Sequence, residues 1–248
     1  MRGILPHLTL LALCAFASLP AAGARGACPE TMAEVLGRFC IDRYEATLSS
    51  IDERGKVIGK HSPFHPVLPN ERVRAESRGG VWPQGYVSMK HALEACTAAG
   101  KRLCKDDEWM TACMGKQPTT YPYGDTHIAD RCNDKGVSPL RTLFGAKDDA
   151  VTFGWERMND PRLNQVPGSL ARTGSHKKCR NSFGVYDMVG NLHEWTADPS
   201  GTFRGGFYLD NTTHGLGCRY RTTGHNGVYH DYSTGFRCCA DRGGQRKR

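Results

Sequence analysis

The cysteines constrain this chain more than any other feature. Eleven occur among 248 residues, and the first, Cys14, lies in an apolar run at 8–19 that follows Arg2 and precedes "AAGA" at 21–24. That pattern is a secretory signal peptide cut after Ala24, so 1–24 is expected to leave the mature chain. Ten cysteines remain, and an even count in an exported protein reads as disulfides whose connectivity the count itself leaves open. There is no paired C-x-x-C set, which argues against a structural zinc site. Arg25 stands where a lipoprotein signal carries an aliphatic residue, so no lipid anchor is expected on Cys28.

About 220 residues then form the mature chain, enough for one large domain or two small ones. No second long apolar segment follows, so no membrane span is expected there. The formal charge of +8 is carried partly by a basic tail, "RGGQRKR" at 242–248. Charge alone would suit nucleic acid, but an exported disulfide protein argues for a solvated tail instead. The expected location is secreted or periplasmic. The expected partner is an exported protein or a small-molecule substrate of unknown identity, with no nucleic acid.

Regular structure is sparse. Val35, Phe39 and Ile41 suggest short strands, and Gly/Pro/Ser-rich connections are read over about 49–86. Ser88 can cap a helix whose inner face carries Met89, Ala92, Leu93 and Cys96, with Gly100 at its end. A second helix starts in "KDDEW" and stops at Gly115, with Trp109 and Cys113 inward. Turn formers punctuate 118–182, and "GFRCCA" at 235–240 reads as a closing strand. Neighbouring strand residues face opposite ways, so Cys238 and Cys239 should serve different partners. A domain so poor in backbone ladders needs other staples, and disulfides and calcium are the two at hand outside the cell.

Six segments in order, "AGKRLCKDDEW" (99–109), "YPYGD" (121–125), "FGVYDMVGNLHEW" (183–195), "RGGFY" (204–208), "CRYR" (218–221) and "GFRCCAD" (235–241), resemble the formylglycine-generating enzyme, or sulfatase-modifying factor, family. The resemblance spans most of 40–241. It implies one irregular α+β domain over 25–241, of the C-type-lectin-like kind, poor in secondary structure, disulfide-stapled and often calcium-bound. It also implies a calcium loop in which Asp187 and Glu194 supply carboxylates and Gly190 and Leu192 supply carbonyls. Such a mixed oxygen set suits a hard cation. The alternative is that both acids cap turns while Tyr186 and Trp195 pack in the core. Asn133 falls where the family's second calcium site begins.

Cys96 and Cys238 occupy positions paired in the family. Cys113 matches another paired position whose partner here is Thr222, making Cys218 the nearest substitute. Proximity along the chain suggests Cys28–Cys40 and Cys132–Cys179.

The family's enzymes oxidise a client cysteine with oxygen and copper(I) held by two thiolates, a soft pair suited to that ion. Here the first thiolate position is Asp210, and counting to the second gives Gly215 or Gly217, beside Cys218; the usual serine of the motif is Phe207. Copper is therefore not expected. Relatives without the pair modify siderophores or bind nonheme iron through histidines. Asp210, His214, His225 and His230, with Cys218, are the candidates for residual chemistry, and an iron site of two histidines and a carboxylate is conceivable. Solvated loop histidines are the simpler reading. His61 and His65 in "HSPFH" are a weaker hint of the same kind, and Arg219 and Arg221 could grip an acidic substrate. "NTT" at 211–213 fits a glycosylation acceptor. Two functions remain open: an oxidoreductase-like enzyme without the copper dithiolate, and a non-catalytic calcium-stabilised binding module.

Overall fold

The computed structural model describes residues 27–145 and 153–243; the signal-peptide segment, Cys14 and residues 244–248 lie outside these. The strands are β1 (Met32–Val35), β2 (Phe39–Asp42), β3 (Ala46–Ile51), β4 (Val57–Lys60), β5 (Val73–Ser77), β6 (Arg102–Leu103), β7 (His193–Trp195), β8 (Phe203–Arg204), β9 (Arg221–Thr222), β10 (Thr234–Phe236) and β11 (Cys238–Asp241). The helices are α1 (Met89–Ala98), α2 (Asp106–Met114), α3 (Pro139–Phe144) and α4 (Trp155–Met158). Three small sheets result, ordered β1-β2-β11-β6, β10-β7-β8-β9 and β4-β3-β5. This is the irregular, disulfide-stapled α+β architecture expected of the sequence. No helix among the described residues is long and apolar enough to cross a membrane.

The third sheet corrects the loop expected over 49–86. β3 is mostly buried, with only Thr47 and Ser50 half-buried, but β4 is exposed throughout, so no inward pattern marks it. Pairing with β3 makes it a strand, in a register that shifts between Ser50 and Ile51.

Ser88 accepts a hydrogen bond from the His91 amide at the start of α1. The helix buries Ala92, Ala95 and Cys96, whereas Leu93 is exposed. Small side chains on that face allow close approach to β5 and β6, and the larger Leu93 turns away. In α2, Asp106, Asp107 and Glu108 occupy the first turn, where the helix dipole favours negative charge. Arg204 grips the Asp106 carboxylate with two nitrogens at 2.5 and 2.6 Å, tying β8 to the start of α2.

Five disulfides join the layers: Cys28–Cys40, Cys96–Cys238, Cys104–Cys239, Cys113–Cys218 and Cys132–Cys179. Cys238 and Cys239 do serve different partners, one on α1 and one beside β6. The closing stretch is two strands rather than one, because Arg237 breaks the ladder between β10 and β11. Arg242, assigned to the solvated tail, instead pairs with Glu34 at 3.1 Å and donates to the Gly37 carbonyl.

Candidate functional site

β7 lies between β10 and β8, and strand alternation sends its three side chains in two directions. Glu194 enters a carboxylate cluster, while His193 and Trp195 pack into a belt of aromatic rings. The Asp, His and Glu of "DMVGNLHEW" therefore do not form one reactive group.

The loop leading into β7 is shaped by Asp187, Gly190 and Asn191, all at positive φ. Gly190 is obligatory for a second reason. A Cβ there would stand 2.2 Å from the Asn133 carbonyl oxygen, which accepts the Asn191 amide at 2.7 Å. Asn133 also donates through its side chain to the Ser169 carbonyl and to Asn191 Oδ1, so it is tied to the 184–198 loop. Its neighbour Asp134 is buried, with Oδ2 accepting from Asn211 and paired with His127 and Oδ1 left without a partner.

Three carboxylates are buried around this loop: Glu45 at 0%, Asp187 at 4% and Glu194 at 1% exposure. Glu45 accepts from Asn191 Nδ2 at 2.6 Å and from the Leu192 amide at 3.2 Å. Asp187 accepts from the Gly174 amide at 2.6 Å. Glu194 accepts two bonds from Arg237 and one from Trp109 Nε1 at 2.7 Å. Burial pushes the Asp187 carboxyl up to about 7, and burial with the fields of Asp187 and Glu194 pushes Glu45 well above its ordinary range. Glu45 was not legible in the sequence. It meets Asn191 across 146 residues, and no local spacing marks it.

Beside the Glu194–Arg237 pair, burial holds Glu45 and Asp187 toward their neutral forms, and oxygen donors are what a hard dication takes. The donors are oxygens, the type calcium takes, but both Glu194 oxygens are already engaged by Arg237 and Trp109. Among the described residues, no three His, Cys, Asp or Glu side chains gather as a metal-ready group.

On the opposite face, His193 sits with Nδ1 3.1 Å from Ser233 Oγ and Nε2 3.3 Å from the Tyr220 hydroxyl. Burial drives its pKa down to about 3. Its ring packs at 4.6 Å from Phe203 and 4.8 Å from Phe207. His225 stacks on Phe203 at 4.5 Å, and His214 meets Tyr220 edge-on. His230 is elsewhere, with Nδ1 2.7 Å from Asn159 Oδ1 and its ring against Trp155. Burial lowers the pKa of both His225 and His230.

Asp210 accepts from Thr212 and Thr213 amides at 2.8 and 3.1 Å and from the Thr212 hydroxyl. Partial burial opposes its ionisation, but these bonds together outweigh it and hold the carboxyl below its ordinary value. Cys218, bonded to Cys113, has no thiolate to offer. His61 is buried between Gln84 and Glu71, whereas His65 is exposed. Arg221 pairs with Asp198 at 3.1 Å, and Arg219 is exposed. Asn211 of the "NTT" sequon is 3% exposed and donates to Asp134, so a glycan has no room on it in the folded chain.

The fold and the ordered segments agree with comparisons to known proteins. The sulfatase-modifying factor enzyme 1-like domain matches residues 17–242. Bos taurus inactive C-alpha-formylglycine-generating enzyme 2 is 28% identical over 190 residues, covering 72% of this chain and 56% of that protein. Bos taurus formylglycine-generating enzyme is 29% identical over 205 residues, covering 73% and 45%. The chain thus spans about half the length of these curated relatives. Among solved structures, CarF superposes with a TM-score of 0.51 at 20% identity, covering 82% of this chain and 86% of that one, a likeness of fold alone. The chain belongs to the sulfatase-modifying factor enzyme 1-like domain family.

Proposed function

We propose that this chain is an exported, non-catalytic binding module on the sulfatase-modifying factor scaffold. One observation carries the reading. All ten described cysteines are in disulfides, so no pair of thiolates is available for copper(I). Asp210, at the first thiolate position, is instead the acceptor of a tight turn. That one of the relatives is named an inactive enzyme is in keeping with this. Five disulfides also support an oxidising compartment outside the cytosol. Calcium at Asp187, Gly190, Leu192 and Glu194 is part of the proposal, supported by the buried carboxyls of Glu45 and Asp187 beside Arg237. It would displace the protons that burial keeps on those carboxyls and fix the loop. An iron-dependent oxidoreductase has less support, because Asp210, His225 and His230 are each engaged with different neighbours.

The test is direct. The purified protein is incubated with a cysteine peptide from a client sulfatase, oxygen and copper(I), and the peptide is weighed by mass spectrometry. No formylglycine above the protein-free control is expected. Multiple turnovers would overturn the reading.

A further inference from the structure

An open cavity lies away from both faces of β7. It measures about 610 Å³, a volume suited to a small ligand, and its lining includes Lys116, Arg131, Lys177, Lys178 and Arg180 but no carboxylate. Three separate segments bring these cations together. The Cys132–Cys179 bridge sits directly beside Arg131 on one strand of chain and Lys178 and Arg180 on the other. The Lys116 amide donates to Ser182 Oγ at 2.8 Å, pinning the end of α2 to the same wall.

Both arginines are held by tyrosines rather than by acids. The Arg131 guanidinium lies 4.9 Å over Tyr123, which is itself stacked on Tyr121. Arg180 lies over Tyr186 and donates to its hydroxyl. Arg131 Nε is buried with no hydrogen-bond partner. None of the five cations has an ion-pair partner among the described residues, and Asp130 and Asp134, the acids nearest Arg131 in sequence, do not line the cavity. Five like charges lining one opening, four of them exposed, set up a positive field that draws an anion to it.

We propose that this cavity binds a compact ligand carrying several sulfate or phosphate esters. The oxyanions would be gripped by the two preset guanidinium forks and neutralised by the three lysines. The site stands independently of the calcium and formylglycine readings.

Inositol hexasulfate and inositol hexakisphosphate share one skeleton and separate the two anion sources, so calorimetric titration with each tests the site. At least one should bind and raise the melting temperature. Arg131→Gln and a Lys177→Glu/Lys178→Glu variant should each weaken binding by about tenfold or more. Two controls, Lys56→Glu/Lys60→Glu beside and at the end of β4 and a chain ending at Gly244, should change it by no more than about twofold. Which inositol binds more tightly names the ester. The proposal is overturned if neither binds, if the controls lose as much as the pocket variants, or if a duplex oligonucleotide binds as tightly with the same dependence.

Discussion

Arg237 and Glu194 form a two-pronged ion pair at the centre of the fold, with Nε and Nη2 each 2.6 Å from a different carboxylate oxygen. Neither side chain is more than 1% exposed. The same guanidinium donates to the carbonyls of Asp42 and Tyr186, so it links β2, the 184–192 loop and β7. That demand explains the break between β10 and β11. The residue that joins the two sheets turns its side chain into the core instead of continuing either ladder.

Removing one partner strands the other charge in the core. Arg237→Met and Glu194→Gln should each cost about 3–5 kcal/mol, and the double variant clearly less than their sum. Denaturant midpoints across the four proteins measure this. Additive losses would show that the pair is not the coupling element.

Cys238 and Cys239 are adjacent, so protease digestion of unreduced protein should yield a single species in which the Cys96 and Cys104 peptides are both attached to the 238–239 peptide. The two bridges close nearly the same loop, of 142 and 135 residues in sequence separation. Once one has formed, the other closes only about ten residues, and the Cys113–Cys218 bridge shortens the outer loop to about forty, so losing either alone should cost about 3 kcal/mol and losing both roughly 6–7 kcal/mol in the chain-entropy picture. Equal losses for single and double removal would contradict it.

If calcium fills the loop of Asp187 and Glu194, a chelator should lower the melting temperature, and re-added calcium should restore it. At a hundredfold excess over its dissociation constant the ion would contribute about 2.7 kcal/mol, or roughly 5–10 °C for a chain this size. Asp187→Ala should abolish the response. A melting temperature indifferent to chelator removes calcium from the proposal.

His225 and His230 both have pKa values lowered by burial, against Asp231 in the first case and aided by His91 in the second. In the unfolded chain each takes up its proton near pH 6.5, before the folded form does. Their contribution to stability is therefore complete above that pH and is lost as pH falls through the lowered folded values. Asp187, pushed up to about 7, and Glu45 act in the opposite sense, so the two histidines are read by difference: the wild-type midpoint minus that of a His225→Gln/His230→Gln variant should fall as pH drops from about 7 to about 5.5. An unchanged difference would mean that neither histidine is protonated on unfolding.

Much of this protein was legible along the chain. The Ser88 cap, the Gly115 stop and the inward Trp109 are local matters, decided within a turn or two of helix. The opposite facing of Cys238 and Cys239 needs only the alternation of a strand. What the chain did not show was decided by pairing at a distance. β4 has no buried residue and is a strand only because β3 offers its edge. Glu45 reaches the loop through Asn191, and Arg131 and Lys178 line one cavity because a disulfide joins cysteines 47 residues apart. Periodicity and capping are properties of neighbours in sequence, whereas a buried charge acquires its meaning from whichever distant group is folded against it.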